Sequence, residues 1–96
     1  MSFFGGDHSK AHWAIMPEVN HFVYRLPIEE RAAARAENKR RRDAMKKHCG
    51  KSTIYYEFKV DDKAAKARQK VSADALAKEL EQELGFPFEV CEGCFL

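Results

Sequence analysis

Hydrophobic and polar residues alternate most cleanly over residues 53–60. Ile54, Tyr56, Phe58 and Val60 fall on one face of an extended chain, and Thr53, Tyr55, Glu57 and Lys59 on the other. This predicts a strand in a sheet covered on one face and at least partly wet on the other. A similar alternation over residues 21–26 sets Phe22, Tyr24 and Leu26 against His21, Val23 and Arg25, predicting a second strand. Residues 13–16 read as a short edge strand burying Trp13 and Ile15, followed by a turn at Pro17-Glu18-Val19-Asn20. Near the end, Phe86, Phe88 and Val90 alternate with Pro87, Glu89 and Cys91, and Pro87 places the start of that strand at a sheet edge.

Two stretches have helical character instead. Residues 28–48 are rich in Ala, Arg, Lys and Glu, opened by Pro27 and Ile28 and stopped by Gly50. Further on, Leu76, Leu80 and Leu84 make an apolar stripe with Ala73 and Ala77 beside them. Ser72 is placed to cap that helix, Val71 and Leu76 to staple it, and Gly85 to end it. Residues 61–70 admit two readings: a short helix capped by Asp61 or Asp62 that uses Ala64, Ala67 and Val71, or a polar loop.

The elements sum to an α+β or small α/β fold ordered (β)βαβαβ. It has a three- to four-stranded sheet with a long basic helix and a second, amphipathic helix on one face. A ferredoxin-like half-order is compatible with this, and strand order stays open. The expected core is Trp13, Ile15, Phe22, Tyr24, Leu26, Ile54, Tyr56, Phe58, Val60, Leu76, Leu80, Leu84, Phe86, Phe88 and Val90. Residues 1–12 read as a flexible lead-in and residues 13–96 as one domain, without repeats, linkers or low-complexity blocks.

Composition narrows the class. A chain of 96 residues, 45% hydrophobic and 33% charged, is large enough for a single modest core. The net charge is only +2, so any electrostatic role depends on where charge sits. Residues 39–51 carry seven Lys and Arg against the single Asp43, leaving the remainder net acidic. No apolar run approaches the roughly 18 residues of a membrane span. The first residues lack the basic start and long apolar stretch of a signal peptide. Three cysteines in such a chain imply reduced thiols and a cytoplasmic setting.

The candidate chemistry lies in the first helix. At about 100° per residue, Arg31, Arg35, Lys39, Arg42 and Lys46 fall within an arc of about 80°, a stripe about 22 Å long. Arg40 and Lys47 complete the candidate binding set. A row of cations without interleaved acids is what phosphate binding and counterion release require, and Arg grips phosphate with paired hydrogen bonds. A solvated helix accounts for part of the same pattern. Glu29 and Glu30 in the first turn and Lys46 and Lys47 in the last suit the helix dipole, and Glu37 and Arg41 are spaced to pair. Aromatic support is confined to Tyr55, and residues 51–58 do not match the glycine-punctuated aromatic motif of RNA-recognition sheets.

These observations predict a small non-catalytic binding protein that docks on a nucleic-acid or nucleoprotein complex. The alternative is a protein-binding inhibitor or adaptor occupying an acidic or nucleic-acid-binding surface, in the manner of small phage or mobile-element proteins that block host defence. Ala33, Ala34 and Met45 leave a weakly apolar arc that a second copy could cover, giving a homodimer.

His8-x₃-His12 and Cys91-x₂-Cys94 together supply four ligands at zinc-compatible local spacings, with His48-Cys49 as a competing source and free thiols with surface histidines as the plainer reading. Glu57-x-Lys59 places a carboxylate and an ammonium on one strand face. It resembles the closing half of the metal-dependent nuclease signature in which an Asp precedes Glu-x-Lys. The resemblance implies Mg²⁺ at Glu57 and phosphoryl stabilisation by Lys59. The upstream Asp has no counterpart here, since Asp43 sits in the basic helix and Asp61 and Asp62 lie downstream.

Overall fold

A computed structural model describes residues 10–94. The chain runs β1 (Lys10–Pro17), a 3₁₀ turn (Val23–Arg25), α1 (Ile28–Cys49), β2 (Ile54–Lys59), α2 (Lys63–Leu84) and β3 (Phe88–Cys94). The three strands form one antiparallel sheet in the order β2-β1-β3, an α+β arrangement. β1 is therefore central, not an edge. It takes Lys10, Ala11 and His12, read from the sequence as lead-in, into the sheet. The near-continuous burial of Ala11, Trp13, Ala14, Ile15 and Pro17 is the pattern of a strand flanked on both sides, which strict alternation does not reveal.

The core forms on one face of this strand. Ala11, Trp13 and Ile15 pack with Phe58 of β2, Met45 of α1 and Ala73, Ala77 and Leu80 of α2. Cross-strand pairing of Ala11 with Phe58, Trp13 with Tyr56 and Ile15 with Ile54 and Val90 sets the apolar positions of all three strands on that side. On the other face the register groups His12, Ala14 and Met16 with Tyr55, Glu57 and Cys91. Trp13 also anchors α2: its indole Nε1–H donates to the Lys66 carbonyl at 3.0 Å, with the Lys66 and Lys70 ammonium groups 5.8 and 5.4 Å from its ring centre.

The fourth strand expected at residues 21–26 is absent from the described residues. Asn20 diverts the chain, its Oδ1 accepting from the Phe22 N–H at 2.8 Å in an Asx turn. The backbone N–H and carbonyl of Asn20 bond to the side chain of Asn38 at 3.0 and 2.8 Å, in place of a strand partner. Pro27 holds Leu26 extended (φ −78°, ψ 156°) and closes the turn. Phe22 and Tyr24, expected in the core, are 51% and 61% exposed, and Val60 is exposed beyond the end of β2.

α2 begins nine residues before Ser72, at Lys63, because Asp62 Oδ1 accepts from the Ala65 N–H at 2.9 Å. Ser72 is thus mid-helix and Val71 is exposed, so no staple forms there. Both long helices end at a glycine in the left-handed region, Gly50 (φ 81°) and Gly85 (φ 85°), whose N–H closes onto Lys46 and Glu81 carbonyls.

α1 buries only Asn38, at its midpoint, and Met45, in its second half, along its 22 residues. The first turns stand off the sheet, and the molecule measures 51 × 32 × 21 Å. Met45, offered by the sequence as part of a dimer-facing arc, is instead wholly enclosed by the core. Replacing Met45 by Ala should cost about 2–5 kcal/mol in chemical denaturation, with the cavity term included, whereas Ala33→Ser on the exposed side should cost less than about 0.5 kcal/mol.

Candidate functional site

α1 has one side against the body, marked by Ala34, Asn38, Arg41, Met45 and Cys49, all buried or half-buried. The azimuths of Arg35, Arg42 and Lys46 border that side and face water; all three are exposed. The candidate cations then divide by what they touch. Arg31 turns back, its Nε–H donating to the Leu26 carbonyl at 2.9 Å, and so ties the 3₁₀ turn to the helix. Lys39 is paired with Asp43 one turn on at 2.7 Å, so one acid borders the row of cations that the spacing predicts to be uninterrupted.

Arg40 lies across the helix from the row, and its guanidinium grips Glu37 through two bonds of 2.7 Å. Arg41 shares that carboxylate at 2.8 Å and donates to the Glu18 carbonyl at 2.7 Å. Both guanidinium groups sit over the buried Phe86 ring, at 5.6 and 5.4 Å from its centre. Among the described residues no carboxylate lies within ion-pair distance of Arg35, Arg42, Lys46 or Lys47.

The hydrogen bonds from Arg40, and then from Arg41, hold the Glu37 carboxyl down at about 2, from an ordinary 4.5. An open cleft of about 350 Å³ beside this clamp runs between residues 18–20 and α1. Most of its polar groups are already engaged: Asn20 with Asn38, Glu37 with both arginines, and Arg41 with the Glu18 carbonyl. The cleft is a seam that fixes α1, and the exposed cations lie outside it.

The proposed zinc ligands are distributed as follows. His8 lies outside the described residues. His12 is in β1, its ring edge-on to Tyr55 at 4.8 Å and so close over Gly93 that a Cβ there would stand 2.7 Å from Nε2. Cys91 is in β3 opposite Ala14, and Cys94 is opposite Ala11. Partial burial, then the Glu89 carboxylate, raises the Cys91 thiol above its ordinary value, which disfavours the thiolate a metal needs. His48, the competing ligand, pairs with Glu83 of α2 at 2.6 Å, and burial raises the neighbouring Cys49 thiol. Glu57 and Lys59 share a face of β2, in register with His12 and Lys10. Among the described residues no three or more His, Cys, Asp or Glu side chains converge as a metal site requires.

Sequence reasoning missed the surface at the start of α1. Phe22 and Tyr24 meet edge to face at 6.1 Å, Arg25 lies 4.5 Å over the Phe22 ring, and Ile28, the first residue of α1, is 77% exposed. The signal available was Asn20, two residues before Phe22, where an Asx turn competes with a strand.

Because Glu37 titrates lower folded than unfolded, its clamp contributes fully above pH 4.5 and is lost as the pH falls toward 2. The Glu37 side-chain carbon resonance should titrate with a midpoint near 2, moving back toward 4.5 when Arg40 and Arg41 are both replaced by Ala. No family model, curated protein or solved structure matches the chain.

Proposed function

We propose that this is a small non-catalytic binding protein that docks on the phosphates of a nucleic-acid or nucleoprotein complex through the exposed cations of α1. The observation that carries this reading is the set Arg35, Arg42 and Lys46. They fall within an arc of about 40° and span about 16 Å of helix, with no described carboxylate paired to any of them. Unpaired cations in a row attract phosphates and release their counterions on binding. Lys39 extends the row when Asp43 yields it, at small cost because that pair is exposed. Lys47 lies on another side of the helix and adds to the long-range field.

An acidic protein surface offers the same cations a comparable partner, so salt dependence and nucleic-acid binding are measured together. With three phosphates neutralised, duplex affinity should fall about 40-fold between 50 and 200 mM salt. Changing Arg35, Arg42 and Lys46 to Glu together should abolish binding in a fluorescence anisotropy titration, while circular dichroism and thermal midpoint stay close to those of the native chain. Binding that survives this triple change overturns the proposal.

A further inference from the structure

The cation row explains attraction to phosphates and leaves the aromatic surface at the start of α1 unused. Phe22 and Tyr24 are more than half exposed, and the 3₁₀ turn that carries them buries none of its residues. Exposed rings of this kind contribute nothing to the core, yet their backbone is firmly held. Asn20 turns the chain through its bond to the Phe22 N–H, Asn38 clamps Asn20 from both sides, and Arg31 secures Leu26. A surface presented this rigidly loses little entropy when it is covered.

Its electrostatic setting selects the occupant. Arg25 lies 4.5 Å over the Phe22 ring and 5.7 Å from the centre of Tyr24. Arg31 joins the turn to the helix, and Arg35, the first unpaired cation of the row, follows one turn later, about 6 Å along the axis. Glu29 and Glu30 point more than about 100° away from Arg35 around the helix. Aromatic rings among cations suit a ligand that has flat π faces and a chain of negative charge. Duplex DNA or RNA offers the charge but keeps its base faces stacked inside; an unpaired strand offers both.

Resting on the phosphate-docking reading above, we propose that Phe22 and Tyr24 form a base-stacking platform and that the ligand is single-stranded nucleic acid. Its bases lie on the 3₁₀ turn, with its backbone following Arg25, Arg35, Arg42 and Lys46. The cations hold the strand whatever its sequence; the rings distinguish single from double strands.

The test is anisotropy with a labelled 15-nucleotide oligothymidine and a 15-base-pair duplex, using the full chain in the same low-salt buffer. The native protein should bind the single strand at least about 10-fold more tightly than the duplex. Changing Phe22 and Tyr24 together to Ala should weaken single-strand binding by about 25-fold or more, at roughly 5-fold or more per ring, and change duplex binding less than about 2-fold. Phe22→Trp should retain single-strand affinity, and its indole emission should be quenched on titration with the oligothymidine but not with the duplex. Equal affinity for the two nucleic acids, or a double variant that binds the single strand like the native chain, overturns the platform; if the Glu triple variant still loses binding, phosphate docking stands. Binding to neither nucleic acid overturns both, as does capture of an acidic protein partner in its place.

Discussion

Met45 is wholly buried at a point where α1 has almost nothing else apolar to offer, and the position of that helix depends on it. Its neighbours on the inward side of α1 are Arg41 and Cys49, so the helix is held by one thioether in the core with Cys49 packed beside it, by Asn38 against the Asn20 backbone and by Arg41 on the Glu18 carbonyl. Met suits this role because its unbranched chain reaches across a gap that a helix of small and charged residues leaves open. The sheet supplies the other half of the contact through Trp13 and Ile15, which also receive α2. A modest single core thus orders two long helices, at the cost of leaving the first half of α1 with few neighbours.

The charge on α1 is divided by geometry more than by composition. Glu37 neutralises Arg40 and Arg41 together, on the side of the helix that meets the loop and Phe86. Glu37 is held ionised far below the ordinary carboxylate range, so this division persists at any ordinary pH. The densest run of arginines in the sequence is therefore mostly structural. The exposed cations Arg35, Arg42 and Lys46 stand seven and four residues apart, a spacing that the helical repeat brings onto one side.

The strand at β2 and the end of α2 were legible, because strict alternation over Ile54–Lys59 and the leucines before Gly85 each leave a single periodicity. β1 was half legible. Trp13 and Ile15 announce a strand, but Ala11 and Ala14 are too small to signal burial on both faces, and the strand was misplaced at an edge. Residues 21–26 show how alternation misleads when a side chain competes for the backbone: Asn20 and Asn38 satisfy groups that a sheet would otherwise take up. The first half of α2 hides its helix because it presents alanines and lysine stems around Trp13 in place of a leucine stripe. At the candidate site, the azimuths of the cations follow from the helical repeat alone. The Lys39–Asp43 and Glu37–Arg40 pairs follow from their spacing, but Arg31 reaching the Leu26 carbonyl depends on a turn the pattern did not show.

The outline of 51 × 32 × 21 Å governs how the chain moves through solvent. Its radius of gyration, 16.0 Å, exceeds the roughly 12.5 Å of a compact domain of this length. Friction grows with such elongation while mass does not, so a single copy elutes early from a sizing column and diffuses like a heavier sphere. An apparent mass from elution volume alone therefore overcounts subunits, and stoichiometry for this molecule has to come from light scattering or sedimentation equilibrium.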